Sequence, residues 1–423
     1  MNVTNWNRNP VIHDASLVDF TVGKNPSNGC IRGNGRSYGD ASLDQSMISM
    51  LSYTKKLSIE NEILTVSSGF TLETVLNCCI QNGCLFPVIP GTRHVSIGGM
   101  VAADVHGKNH ETHGTIGRWI RKITLQLADQ QIISCSTTEN RTLFSATIGG
   151  MGLTGIILEV EIQLEKLIGT QLTQTSTSCA SMSDLLNQLD QSKSAFKVGW
   201  CDLLNHRKPW LTETDFIPSN TIDPDFLLKK HVISIPNLPW SVMRPMILKW
   251  YNRRHEKQLK RIPKKTIELD ACFFPLDRIH HWNRLFGKAG FYQYQCILPH
   301  ENCAQVVQLL LDKIQSSSFK PWLTVIKKHG DLQSLGMLSF PIHGFSFAFD
   351  FPNQRGIIDF FHELDELVTE TGGRIYLAKD AVLQEHHFSQ MYPTSVEFKS
   401  IIHTVNRGHF SSLLAKRLLL VSE

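Results

Sequence analysis

Two glycine-rich stretches carry residue types that could hold an anion. The run Arg32-Gly-Asn-Gly-Arg-Ser-Tyr-Gly-Asp40 places glycines at 33, 35 and 39 around two arginines. Glycine lets successive backbone N–H groups turn toward one point and arginine adds a fixed charge, so the run suits a phosphate. Taken alone, such a loop is more often a tight turn. A second stretch reads Pro90-Gly-Thr-Arg93, then Ser96-Ile-Gly-Gly99, then Asp104-Val-His-Gly-Lys-Asn-His110. His106, His110 and His113 lie close enough to suggest a metal site, but no cysteine or further well-spaced ligand completes it, and no metal is expected. Gly150-Met-Gly-Leu-Thr-Gly155 matches the dinucleotide fingerprint G-x-G-x-x-G in letters only. A helix should precede it and a strand follow it, the reverse of the order that fingerprint requires.

The elements that must position these loops are of mixed type. From Asn25 to about Leu164, glycine turns alternate with short apolar segments. Leu57–Ile59 and Leu64–Val66 flank a polar turn and predict a hairpin. Thr71 should cap a helix whose Leu72, Val75, Leu76, Cys79 and Ile80 recur at helical spacing, with Gly83 at its C-terminal end. Ile123, Leu125 and Leu127 alternate as a strand before a turn at Asp129-Gln130, and Ile156, Leu158, Val160, Ile162 and Leu164 alternate as a longer one. The Ser/Thr/Gln-rich stretch Thr170–Ser178 reads as a crossover into a second domain. Aromatic-rich strands are expected at Phe291–Leu298 and Phe345–Phe351, a further strand at Arg374–Ala378, and a closing helix over Phe410–Val421 with Leu413, Leu414, Arg417, Leu418 and Val421 on one face.

Composition narrows the class. With 423 residues, 42% apolar and 19% charged, the chain can bury a substantial core, which excludes disordered and disulfide-scaffold classes. A net charge of +4 is too small to imply nucleic-acid binding, and no nucleic-acid partner is expected. The ten cysteines form no C-x-x-C, which reads as reduced thiols and a cytoplasmic setting. No segment approaches a membrane span.

In order and spacing, the first loop, the PGTR…GG…HGKNH run and Gly149–Gly155 resemble the vanillyl-alcohol-oxidase superfamily of FAD enzymes with a PCMH-type FAD-binding domain. Within it they are most similar to the decaprenylphosphoryl-ribose 2'-oxidase family, which oxidises the ribose 2'-hydroxyl of a lipid-linked sugar. Phe291-Tyr-Gln-Tyr-Gln295, Val325-Ile-Lys327, Asp350-Phe-Pro352 and Gly373-Arg-Ile-Tyr-Leu-Ala-Lys-Asp380 extend the resemblance over nearly the whole chain.

The resemblance implies an α+β, two-domain flavoprotein: an FAD-binding domain over 1–168, a substrate domain with a mainly antiparallel sheet over 169–373, and a segment over 374–423 that completes the first domain. It assigns FAD contacts to Ile31, Arg32, Gly33, Asn34, Gly35, Arg36, Ser37, Tyr38, Gly39, Asp40 and Ala41. Further contacts carry over to Gly91, Ser96, Ile97, Gly98, Gly99, Ala103, Asp104, Val105, His106, Ile157 and Tyr376. Arg36 stands near the place where relatives with covalent flavin carry a histidine, so non-covalent FAD is expected. Lys379 is implied as the fixed cation that stabilises negative charge near flavin N1, and Lys327, Gln295 and Tyr38 complete the implied catalytic set. Lys108, Gln293, Gln295 and Lys327 are implied to face the substrate, a polyprenyl-phosphate-linked sugar oxidised to a keto sugar. A short-chain reductase would then complete an epimerisation to the arabinose form.

Alternatives stay open at this point: an aldonolactone or other soluble sugar oxidase of the same superfamily, or a catalytically idle flavin- or lipid-binding protein. Phe286, Ser346 and Ala348 stand where the family pattern has a tyrosine, an asparagine and a cysteine, which suggests a changed pocket wall. Finally, aromatic and basic residues over 240–265 suit a peripheral contact with anionic lipid, at the inner membrane. A solvated helix or loop accounts for them equally well.

Overall fold

The computed structural model describes residues 1–22, 28–205, 208–219, 228 and 233–421; Asn25, where the glycine-rich texture begins, lies outside them. Near the N-terminus, β1 (Ser16–Asp19), β2 (Cys30–Arg32) and β3 (Ser46–Ser49) form a small parallel sheet with β3 in the middle. The first glycine loop leaves the end of β2. Next, β4 (Leu57–Glu60) and β5 (Ile63–Ser67) pair as the expected hairpin. Its two turn residues, Asn61 and Glu62, both have positive φ, the geometry that matches the twist of adjoining strands.

Helix α1 (Leu72–Gln81) buries the five apolar positions its periodicity marks. Thr71 precedes it as expected but makes no capping bond; its hydroxyl meets that of Thr74 at 3.2 Å. Gly83, at φ +68, turns the chain away. Helix α2 (Ile97–Ala102) lies within the second glycine-rich stretch and includes its Gly98 and Gly99. Then β6 (Ile120–Gln126), β7 (Ile132–Cys135), α3 (Arg141–Thr147) and β8 (Ile156–Gln163) complete a five-stranded antiparallel sheet in the order β7-β6-β8-β5-β4. Helix α3 before Gly150–Gly155 and strand β8 after it bear out the rejection of a Rossmann context. Leu127 falls just beyond its strand, because its N–H closes the turn onto the Gln131 carbonyl.

The second sheet has eight strands, all antiparallel: β9 (Gln171–Ser178), β10 (Phe196–Trp200), β11 (Trp210–Phe216), β12 (Lys264–Glu268), β13 (Phe291–Pro299), β14 (Leu323–His329), β15 (Gly344–Pro352) and β16 (Arg374–Ile375). Its order is β12-β9-β11-β10-β14-β15-β13-β16. Here the crossover expected over Thr170–Ser178 is corrected: the segment is an interior strand. Its polar side chains suit that place because only Leu172 and Ser176 are buried, while its backbone is paired on both sides. Helix α4 (Met182–Gln191) follows β9, and helix α5 (Pro245–Arg261) lies between β11 and β12 in sequence.

The aromatic strands β13 and β15 form as expected and feed a core of Phe345, Phe347, Phe349 and Phe351 beneath α6 (Cys303–Ser316) and α7 (Ile357–Glu370). Two C-terminal expectations are corrected. The strand at Arg374–Ala378 is only two residues long, since Tyr376 bonds Gln295 and then accepts from Lys379 N–H in a turn. The closing helix is only α8 (Leu413–Arg417), capped by Ser412 and followed by Leu419 at φ +49. Leu414 and Leu418 are buried in the same core as Phe347, alongside Ala41 from the first loop.

Candidate active site

A cleft of about 640 Å³ runs between the glycine loops and one face of the second sheet. The first loop folds over its own arginine: the buried Arg32 guanidinium donates to Asn5 Oδ1 at 2.6 Å and to the carbonyls of Ser42 and Thr4 at 2.8 Å. Gly39 passes Asp380 so closely that an added Cβ would lie 1.5 Å from its carbonyl oxygen. Asp40 accepts from Arg417 Nε at 3.1 Å and Nη2 at 2.9 Å, and Arg417 Nη2 also reaches Asp380 at 2.9 Å. Arg32, Gly39 and Asp40 therefore brace the loop from outside the cleft. Ile31, Gly33, Asn34, Gly35, Arg36, Ser37, Tyr38 and Ala41 line it.

Of the second stretch, Gly91, Ser96, Gly98, Gly99, Ala103, Val105 and His106 line the cleft, as do Ile157 and Tyr376. Ile97 turns into the core instead. Asp104 is buried behind the wall, accepting from Gly117 N–H at 3.0 Å and from the Ser339 hydroxyl, and burial pushes its carboxyl up to about 6. Asn34 Nδ2 ties the two loops together by donating to the His94 carbonyl at 2.7 Å, and Tyr376 Oη, from the turn after β16, donates to the Ala103 carbonyl at 3.1 Å.

The three histidines separate. His113 stacks on Trp119 and meets Glu165 at 3.1 Å, away from the others. His106 and His110 join His329 in a buried cluster, with ring centroids 4.8 and 4.5 Å from that of His329. Burial and neighbouring cations hold all three rings neutral, with His110 pushed down to about 4. Among the described residues no group of three His, Cys, Asp or Glu side chains is arranged to hold a metal ion.

The opposite wall is built by β13, β14, β15 and the turn after β16. Pairing sets Gln295 opposite Ala348 and Lys327 opposite Ser346, and all four line the cleft with Lys108, Gln293 and Lys379. Phe286 does not stand on this wall; it is buried behind it, stacked on Phe291 at 4.5 Å. Gln295 Nε2 donates to His106 Nε2 at 3.3 Å, and Gln293 donates to Asp350. Lys108 donates to the Cys272 carbonyl. Lys379 Nζ sits 3.3 Å from the centroid of the Tyr38 ring. Burial lowers the affinity of these half-buried ammonium groups for their protons: Lys327 is pushed down to about 8, helped by the charge of Lys108. Lys379 is also lowered by burial, while Asp350 pulls it back up.

Several lining residues escaped the sequence reading. Met151, Gly152 and Gly155 border the cleft from the glycine run before β8, all three at positive φ; the run itself was visible in the sequence, but these residues were not assigned to the site. Ser68, Trp6, Asp277 and Trp282 carried no signal.

The first loop suits a dianion. Among the described residues the backbone N–H groups of Asn34 to Ser37 donate to no protein acceptor, and Ser68 Oγ is buried without a partner. A Cβ at Gly33 or Gly98 would fill the groove, meeting Ser96 or Ser68 at 2.1 and 2.9 Å. Residues 24–136 match the family model of an FAD binding domain. The chain is also 31% identical to decaprenylphosphoryl-beta-D-ribose oxidase of Mycolicibacterium smegmatis, over 92% of this chain and 89% of that protein.

The chain belongs to the decaprenylphosphoryl-ribose oxidase family of vanillyl-alcohol-oxidase-type flavoproteins.

As a member of that family it is an FAD-dependent oxidoreductase with the α+β fold described above. Other relatives include an uncharacterized protein of Streptomyces coelicolor, 27% identical over 82% of this chain and 99% of that protein. An L-gulonolactone oxidase of Scyliorhinus torazame is 25% identical over 52% of this chain and 51% of its own. In this family member, the N–H groups of Asn34 to Ser37, Ser68 and the glycine groove are the groups that would hold the FAD. When bound, FAD would supply a two-electron acceptor; the protein supplies the three lysine ammonium groups that line the same cleft.

Proposed function

We propose that this oxidoreductase oxidises the 2'-hydroxyl of a polyprenyl-phosphoryl ribose to the keto sugar, the first half of an epimerisation to the arabinose form. The observation that carries the reading is the polar wall: two glutamines and three ammonium groups converge on one stretch of a cleft whose lining is mainly apolar. Gln293 and Gln295 offer hydrogen bonds to sugar hydroxyls, and Lys108 and Lys327 offer charge to a sugar phosphate. Lys379, held beside Tyr38, places positive charge where the reaction generates negative charge. Residues 1–168 and 374–423 make the cofactor-binding unit in this reading, and 169–373 the substrate unit. FAD is held without a covalent bond. The keto product requires a separate reductase, of the short-chain class, to complete the inversion.

A second reading, oxidation of a soluble aldonolactone, is favoured by the similarity to L-gulonolactone and D-arabinono-1,4-lactone oxidases over about half the chain. Anaerobic mixing separates the two. Bleaching of the flavin absorbance by lipid-linked ribose and not by aldonolactones supports the first; the converse result overturns it.

A further inference from the structure

We infer that helix α5, with the Trp240 turn before it, is the surface by which the protein docks on an anionic lipid bilayer, so that the cleft opens beside the membrane. The inference extends the lipid-linked substrate reading. Among the described residues, Trp240, Trp250 and Tyr251 are the only exposed aromatic side chains, and Met246, at 82% exposure, is the most open of the large apolar ones. Ile247 and Ile262 add to the same stretch. Isolated exposed apolar residues need no explanation, but a cluster of this kind marks an interaction surface.

The charge pattern selects the partner. Between Pro245 and Lys265 stand eight lysines and arginines against one acid, Glu256. That local excess is larger than the net charge of +4 for the whole chain, so the remainder is net acidic. Glu256 is buried and paired with Lys260, leaving the outer face cationic. At helical spacing, Met246, Trp250, Arg254, Lys257 and Arg261 share that face, apolar at the N-terminal end and basic at the other. The Arg254 guanidinium lies 5.9 Å from the Trp250 ring centroid. Aromatic rings beside cations on a surface helix fit the headgroup region of an anionic bilayer.

The helix is held ready for this. Its inner face buries Leu248 and Leu259, and Asn252 Nδ2 donates to Asp202 Oδ1 at 2.8 Å. One edge borders the cleft: Tyr251, His255, Gln258 and Ile262 line it, facing Val198, Trp200 and Ile267 of the sheet. The apolar lining thus runs from the lysine wall to the rim of the docking face. An isoprenoid chain reaching the lysine wall from a bilayer would cross little water on this route.

The test is flotation of the holoenzyme with phosphatidylcholine vesicles, with and without phosphatidylglycerol. Binding is expected only with phosphatidylglycerol and should weaken as salt is raised. Met246→Ser/Trp250→Ser and Arg254→Glu/Lys257→Glu should each lower partitioning about tenfold or more, with flavin content unchanged. Val396→Ser, an exposed apolar change elsewhere, should leave binding intact. Absence of binding, binding unaffected by either double variant, or self-association through this face in place of binding overturns the inference. If vesicles fail to bind but lipid-linked ribose in detergent still bleaches the flavin, the docking surface falls and the substrate reading stands.

Discussion

The ammonium of Lys379 lies over the ring of Tyr38, 3.3 Å from its centroid, although the two stand 341 positions apart along the chain. The contact joins the first glycine loop to the turn after β16, and the Tyr38 N–H also donates to the Ala378 carbonyl at 3.1 Å. A cation held in this way is oriented before substrate arrives. Lys379→Met should lower kcat by about 100- to 1,000-fold, the scale for losing a preorganised electrostatic group, with FAD still bound. Stopped-flow reduction of the flavin measures this; an unchanged reduction rate would remove Lys379 from the reaction.

Lys327 makes a pH-dependent prediction. Its ammonium, pushed down to about 8 by burial and by Lys108, is present below that pH and lost as pH rises through it. If it holds a phosphate, KM should rise across that window while kcat changes less. Lys327→Arg keeps its charge at high pH and should flatten the rise. A KM profile identical in both proteins would exclude the role.

Arg417 bridges Asp40 and Asp380, so its removal leaves two buried carboxylates facing each other. Arg417→Met should destabilise the fold by about 3–5 kcal/mol. Protonation relieves an unpaired carboxylate, so the deficit in Tm relative to the native protein should shrink as pH falls. Melting curves at several pH values check this, and a deficit independent of pH would point to packing alone.

Two glycines give a paired forecast. At Gly39 an added methyl would collide with the Asp380 backbone, which cannot swing aside, whereas nothing lies within 4 Å of a Cβ at Gly91. Gly39→Ala should cost at least about 1–3 kcal/mol and reduce flavin retention. Gly91→Ala should stay within about 0.5 kcal/mol of the native protein. Comparing Tm and the ratio of flavin to protein absorbance decides the matter.

By the family resemblance Arg36 stands near the place where relatives with covalent flavin carry a histidine, and its guanidinium lies over the Trp6 ring at 4.2 Å. Acid precipitation should therefore leave FAD in the supernatant. Flavin retained in the pellet would reveal a covalent bond.

The elements with strong periodicity were legible in the sequence: α1, the β4–β5 hairpin, and the aromatic strands β13 and β15. Gln171–Ser178 was not, because its strand character comes from neighbours paired on both sides and not from its own side chains. The closing helix was overextended for a related reason: Leu413 to Val421 keep an apolar pattern, yet the left-handed Leu419 ends the regular backbone. At the site, the glycine loops announce an anion through their own composition. Lys327 and Lys379 do not announce themselves, since each is an ordinary lysine until the register of β14 against β15 and the turn after β16 turn them into one cleft. Only the family resemblance singled them out.

The bond between Arg417 and Asp40 also sets an order of events. During synthesis the first glycine loop leaves the ribosome long before the residue that clamps it, 377 positions later. The cofactor loop must wait, unlatched, through the making of the entire second sheet. Contacts so distant in sequence make for slow folding. Newly made chains should therefore capture FAD only after α8 has docked, and a block to translation anywhere upstream of it should yield protein without colour.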